Sequence, residues 1–396
     1  MKDAALGCPE CGEHFPHSFT HCPREGARLG KLDACCGRRL GDRYLLHCGI
    51  GMGAMGAVYA ARDERLNRPV AVKLINADLG RRDTVFERFV QEVKTLSLLR
   101  HEHIVEVYDF HGDGRQPYFV MEYLRGEDLE SLLRRTGRLE LSQVARIVDQ
   151  CCRALAAAHG KDIVHRDLKP ANVFLVCREG CTDYVKLLDF GVAKMMRAEG
   201  TPLTRLGETW GTPMYMSPEQ AEGLPTDDRS DEYALGVMMF EMLSGHVPFG
   251  GESHLTIMQQ HVEAPPRTFE SVRPGIGIPA VVEGVVRRAL EKRPSDRYPS
   301  VSNLCAALRD AVRVVQAAEL HRTFRAYNML EPSAEVRRAL AVADRETFAL
   351  LESLRHTLSI AHQAANDAHA DDIAVLERRV AQLEAENLAL KARRRG

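Results

Sequence analysis

His165-Arg166-Asp167-Leu168-Lys169-Pro170-Ala171-Asn172 puts a base, a cation and a metal-binding amide on one short loop. In that pattern Asp167 accepts the proton of an attacking hydroxyl, Lys169 stands near a transferring phosphoryl group and Asn172 holds a magnesium ion. Lysine two positions after the aspartate points to serine or threonine as the acceptor, rather than tyrosine. His-Arg-Asp by itself is also an ordinary surface turn, so the weight of the stretch depends on what accompanies it.

Phosphoryl transfer asks little covalent help from protein, and the site must mainly position a nucleotide and offset its charge. Residues for that work follow in order along the chain. Gly51-Met52-Gly53-Ala54-Met55-Gly56-Ala57-Val58 reads as a glycine-rich loop whose missing Cβ atoms let backbone amides approach phosphate oxygens. A dinucleotide fold uses the same glycines, but it also needs an acidic ribose reader about twenty residues on in a strand-helix-strand context. Val70-Ala71-Val72-Lys73, a buried strand ending in a cation, stands there instead.

Lys73 needs a carboxylate to hold its ammonium, and Glu92 follows nineteen positions later. Phe89, Val93, Leu96 and Leu99 recur at helical spacing, which predicts an amphipathic helix with Glu92 beside the apolar stripe. Val173 to Val176 and Tyr184 to Leu188 read as a hairpin leading into Asp189-Phe190-Gly191, where Asp189 is the second expected magnesium ligand. Further on, Ser217-Pro218-Glu219 stands for an Ala-Pro-Glu ending, and Glu219 is expected to pair with Arg297 in an architectural role.

Across residues 43 to 310 the chain resembles the eukaryotic-like serine/threonine protein kinases of bacteria. Gly211-Thr212-Pro213-Met214-Tyr215-Met216-Ser217-Pro218-Glu219-Gln220 is similar to their substrate-facing loop, and Asp231-Glu232-Tyr233-Ala234-Leu235-Gly236-Val237 to the start of their central helix. The resemblance implies an α+β, bilobal fold: a β-rich small lobe over a helical large lobe, with ATP between them. It further implies that Ile50, Val58 and Ala71 cover the adenine, that Met121 is the gatekeeper and that Glu122 to Leu124 form the hinge, with Asp128 near ribose or substrate. The candidate nucleotide-binding set is therefore Ile50, Gly51, Gly53, Gly56, Val58, Ala71, Lys73, Met121, Glu122 and Leu124, and the candidate catalytic set Asp167, Lys169, Lys73 and Glu92. Arg166 beside the catalytic aspartate implies activation by a phosphate in the segment before Gly211, with Thr204 and Thr209 preferred over Thr201.

Ahead of this region, Cys8-Pro9-Glu10-Cys11-Gly12 and His21-Cys22-Pro23-Arg24-Glu25-Gly26 resemble the two knuckles of a zinc ribbon, residues 1 to 30. Cys8, Cys11 and Cys22 are three ligands; Glu25 stands where a fourth cysteine is expected, with His14, His17, His21, Cys35 and Cys36 as alternatives. Some thirty residues build little core without a metal. No catalytic residue lies in the ribbon, so it is expected to be dispensable for the chemistry. Residues 31 to 42 read as a linker packing on the small lobe.

Residues 311 to 396 read as a helical tail. Ile373, Leu376, Val380, Leu383, Asn387 and Leu390 make the a/d seam of a short coiled coil over 373–390, with Asn387 favouring a parallel homodimer. Upstream, Leu351, Leu354 and Leu358 fall out of phase, which leaves a helix packed on its own chain as the rival. A net charge of −2 gives no argument for a nucleic-acid partner, and no apolar run is long enough for a membrane span. Eleven cysteines, some at core positions such as Cys151, Cys152 and Cys305, fit a reducing cytoplasm. The sequence thus predicts an ATP- and magnesium-dependent kinase of protein serine and threonine hydroxyls, in bacterial signal transduction. The alternative is a nucleotide-binding scaffold without turnover.

Overall fold

The computed structural model describes residues 4–53, 56–75, 99–112, 116–178, 181–190 and 213–328. Two compact units divide the chain, Met1–Ala306 and Ala307–Gly396. The strands are β1 Ala4–Gly7, β2 His14–Pro16, β3 Gly30–Lys31, β4 Arg39–Leu40, β5 Tyr44–Gly53, β6 Gly56–Asp63, β7 Arg68–Ile75, β8 Val107–His111, β9 Tyr118–Glu122, β10 Gly126–Asp128, β11 Val173–Arg178 and β12 Cys181–Leu187. Among the described residues the α-helices are α1 Leu129–Thr136, α2 Leu141–His159, α3 Pro218–Glu222, α4 Arg229–Ser244, α5 His254–Glu263, α6 Phe269–Val272, α7 Ala280–Ala289 and α8 Val301–Asn328.

β7 is the strand that organises the small lobe. Successive side chains of a strand face opposite ways, so a strand apolar at every position is covered on both faces. Val70, Val72 and Leu74 join Tyr44, Leu46, Tyr59 and Val120 in one core cluster. Ala71 and Ile75 join Val105, Phe119 and Met121 in the other. The same alternation puts Lys73 on the face of Ala71, opposite Phe119 in the antiparallel register with β9. A buried lysine thus arrives beside an apolar floor by the period of the strand.

The ribbon is part of this sheet. Its order is β2-β1-β3-β5-β6-β7-β9-β8, with β4 also paired to β5. Lys31 pairs with Gly49, and Arg39 and Leu40 pair with Leu45 and Tyr44. The stretch expected as a linker, 31–42, therefore carries two strand segments, and Tyr59 donates its hydroxyl to Asp33 at 2.6 Å.

In the large lobe, Val144, Ile147, Val148, Cys151, Cys152, Ala154, Leu155 and Ala158 recur at helical spacing and form the buried side of α2. α4 is buried nearly all round, including Asp231 and Glu232. β10, β11 and β12 make a small antiparallel sheet between the hinge and α2. The helix expected around Glu92, the segment holding Thr204 and Thr209, and the seam 373–390 lie outside the described residues.

Candidate active site and metal ribbon

The β11–β12 hairpin brings the two expected magnesium ligands together. Val173 pairs with Leu187, and the Leu188 N–H donates to the Asn172 carbonyl at 2.9 Å, so Asn172 and Asp189 emerge side by side at the open end. The side-chain amide of Asn172 donates to the Asp167 carbonyl at 2.7 Å and to Asp167 Oδ2 at 3.2 Å. That orientation spends its nitrogen on the loop and leaves its oxygen as a donor atom. Lys169 Nζ donates to Asp167 Oδ2 at 2.8 Å.

Asp231 shapes the loop from below. Its two carboxylate oxygens accept the backbone N–H groups of His165 and Arg166, each at 2.7 Å, and Oδ2 also meets His159 Nε2 at 2.8 Å. Arg166 sits at φ 61°, a left-handed conformation that non-glycine residues adopt only under constraint. The buried carboxylate supplies that constraint. His165 is fully buried, with its ring 2.9 Å from the Leu188 carbonyl and packed on Phe190 at 4.6 Å between ring centres. Asp231 was visible in the sequence only as part of a helix start; its grip on the loop depends on a contact 66 positions away.

Across the cleft, Lys73 Nζ bonds Asp189 Oδ2 at 2.6 Å. Burial opposes ionisation of Asp189, and the Lys73 ammonium outweighs it, holding the carboxyl below its usual value. Glu92, the partner expected for Lys73, lies outside the described residues. The donor set of Asp189 and Asn172 consists of hard oxygens, which fits magnesium beside phosphate.

Val58, Ala71, Met121 and Leu124 share one apolar cluster, while Ile50 stands 43 % exposed and outside it. Glu122 is held twice: its carboxylate accepts Lys186 Nζ at 2.6 Å and the Glu106 N–H at 2.8 Å, and its own N–H donates to Glu106. Asp128 is the N-cap of α1, accepting the Ser131 N–H at 2.7 Å and its hydroxyl at 2.9 Å, so helix capping accounts for it. Among the glycines of the loop, Gly56 has a packing reason of its own. It adopts φ +152°, and a Cβ there would lie 1.8 Å from the Leu74 carbonyl oxygen of β7. Gly51 and Gly53 meet no such obstacle.

Below the site, Glu219 and Arg297 form the expected pair, bidentate at 2.9 and 2.8 Å and buried. Ser217, which departs from the alanine of the resembled motif, caps α3 reciprocally with Gln220. Gln220 in turn donates to the Arg166 carbonyl at 3.0 Å, tying this helix to the loop that carries Asp167.

A protein kinase domain model matches residues 44–307. The chain belongs to the protein kinase family. It is 40 % identical over 326 residues to the serine/threonine-protein kinase Pkn1 of Myxococcus xanthus, covering 78 % of this chain and 46 % of that one. Identity to the serine/threonine-protein kinase PknB of Mycobacterium leprae is 39 % over 280 residues, 69 % of this chain and 43 % of the relative. The chain thus spans about half the length of the curated relatives it matches. Among solved structures, the kinase domain of Mycobacterium tuberculosis PknI superposes with a TM-score of 0.55 at 26 % identity, over 70 % of this chain and 100 % of that one.

In the N-terminal segment, the sulfurs of Cys8, Cys11 and Cys22 lie within 4.8 Å of one another, with Cys11 and Cys22 at 3.8 Å. A tetrahedral zinc with bonds of about 2.3 Å has sulfur–sulfur edges of about 3.8 Å, so the cluster fits that ion. The Glu10 and Cys11 N–H groups point at the Cys8 sulfur, and those of Arg24 and Glu25 at Cys22. Glu25 therefore serves this turn through its backbone. Its carboxylate is not in the cluster, nor are His14, His17, His21, Cys35 or Cys36. Three soft donors are in place among the described residues. Burial pushes the Cys8 thiol up to about 12, a cost of ionisation that a cation on the sulfur offsets.

Proposed function

We propose that the chain transfers the γ-phosphate of ATP, with magnesium, to serine and threonine hydroxyls of protein substrates. The observation that carries this is the convergence of Asp167, Lys169, Asn172, Asp189 and Lys73 at one cleft, in a chain of the protein kinase family. Asp167 is the group that receives the hydroxyl proton; Lys169, bonded to it, faces the transferring phosphoryl. Asn172 and Asp189 would hold magnesium, whose positive charge would offset the negative charge on the phosphate oxygens. Lys73, now on Asp189, orients phosphates with Glu92 as its second partner. Gly51, Gly53 and Gly56 bring backbone to the phosphates, Ile50, Val58 and Ala71 cover the base, Met121 is the gatekeeper and Glu122 to Leu124 form the hinge. A scaffold without turnover is disfavoured because every group the chemistry needs is present.

Regulation by phosphate is supported by Arg166, held in a strained backbone next to the catalytic base. Incubation with ATP followed by mass spectrometry is expected to find phosphate on Thr204 or Thr209, and none in an Asp167→Asn sample treated alike. Full peptide activity with no phosphate between residues 192 and 217 counts against this regulation.

No helix among the described residues is long and apolar enough to cross a membrane. A cytoplasmic site of action is supported by Cys151, Cys152 and Cys305, which are core residues rather than bridge partners in a disulfide framework. For the tail, the seam 373–390 supports a parallel homodimer, which raises the local concentration of one kinase domain near another to roughly the millimolar range. Activation by ATP is then expected to accelerate with protein concentration, and deletion of 370–396 to weaken that dependence. A strictly monomeric full chain at tens of micromolar, by sedimentation, refutes the dimer.

A further inference from the structure

We propose that the ribbon is a metal-loaded brace on the nucleotide cleft: a thiophilic divalent cation on Cys8, Cys11 and Cys22 holds the first knuckle against the hinge and the strand of the glycine-rich loop, so that metal loading sets nucleotide affinity. The inference rests on the kinase reading, since it concerns how that cleft is held.

Three contacts join the ribbon to the cleft. Between its two cysteines, Glu10 has a side chain only 8 % exposed and accepts Arg125 Nη2 at 2.5 Å, one residue beyond the hinge. The Arg125 carbonyl is itself bound by the Cys177 N–H of β11 at 2.9 Å, the strand that follows Asn172. The next contact is to β5, where His47 Nδ1 meets the Pro9 carbonyl at 3.4 Å. The turn lies so close on this ring that a Cβ on Gly12 would stand 3.2 Å from it. Finally, Lys31 pairs with Gly49, the residue before Ile50 and the glycine-rich loop, and a Cβ on Gly30 would be 2.6 Å from the Cys48 sulfur.

The ribbon has no apolar core to keep these contacts in place. Of residues 6–30, the buried ones are Gly7, Cys8, Pro9 and Cys22, and the two cysteines are metal-ligand candidates. A segment of this size with so little buried apolar surface depends on an added crosslink for its shape. Loss of the metal therefore frees Glu10 from Arg125 and loosens the edge of β5. The catalytic residues stand elsewhere, so the effect falls on nucleotide affinity and on KM for ATP rather than on kcat.

The test uses the full chain, zinc-loaded and chelator-stripped, titrated with a fluorescent ADP analogue. Stripping is expected to weaken nucleotide binding on the order of tenfold, with recovery when zinc is returned. By linkage, zinc affinity measured by competition with a chromogenic chelator rises by the same factor at saturating nucleotide. Glu10→Gln leaves the three sulfurs intact; it is expected to keep one zinc per chain while its nucleotide affinity depends markedly less on zinc. Equal nucleotide affinity with and without zinc, no bound zinc, or full zinc dependence in Glu10→Gln overturns the brace alone. Failure of every form to bind nucleotide overturns the kinase reading with it.

Discussion

Asp167→Asn is expected to lower phosphate transfer to peptides about a hundred- to ten-thousand-fold, the usual contribution of a positioned base, while nucleotide affinity and melting temperature stay close to those of the parent. The size of the loss follows from what the carboxylate does. Asp167 Oδ2 accepts from both Lys169 and Asn172, and its backbone carbonyl accepts from Asn172 as well. An amide of the same size keeps the carbonyl bond and the loop, because the loop is held by Asp231 from the other side. It loses the negative charge and the ability to take a proton. The effect should appear in kcat, with KM for ATP nearly unchanged. An unaltered kcat in a variant that binds nucleotide normally means that the base is elsewhere.

Arg297→Met is expected to destabilise the domain by about 3–5 kcal/mol, the cost of leaving one partner of a buried ion pair without the other. Arg297 has no exposed side-chain surface and directs bonds to both Glu219 oxygens and to the carbonyls of Arg229, Glu291 and Lys292. Methionine fills part of the volume and satisfies none of these. In the parent, burial pushes the Glu219 carboxyl up, but the Arg297 guanidinium and the Ser230 hydroxyl outweigh it and hold it below its usual value. Its contribution is therefore present above the ordinary glutamate range of about 4.3 and is lost as pH falls below it. In the variant the sign reverses, because burial alone favours the protonated acid. The gap in stability between parent and variant is thus expected to narrow as unfolding is measured from pH 7 down towards pH 4. A gap that is small at pH 7, or constant with pH, shows that the pair is not what anchors α3.

Most of the candidate site was legible in the sequence because its parts are short, local and chemically distinctive. Lys73 follows a buried apolar run, Asp167 and Asn172 share one loop, and the hairpin that joins Asn172 to Asp189 announces itself as two apolar runs. What the sequence concealed depends on contacts between distant segments. The buried grip of Asp231 on two amides spans 66 positions to His165, and the tie from Lys186 to Glu122 spans 64. Glycine patterns proved ambiguous as well. Gly56 satisfies a phosphate-loop motif, yet its clearest requirement is the close approach of β7. The ribbon showed the limit most plainly: cysteine spacing announced the knuckles, but two-residue pairings such as Gly30–Lys31 leave no periodicity, so nothing in the sequence placed its strands at the edge of the small-lobe sheet.

The central claim is that Asp167 directs the γ-phosphate of ATP to aliphatic hydroxyls. Incubation of the full chain with γ-labelled ATP, magnesium and a mixture of serine, threonine and tyrosine peptides, followed by phosphoamino-acid analysis, tests it most directly. The expected result is label on phosphoserine and phosphothreonine, none on phosphotyrosine, and near-complete loss of label with Asp167→Asn. Label transfer that survives Asp167→Asn, or no transfer by a parent protein that binds ATP, contradicts it.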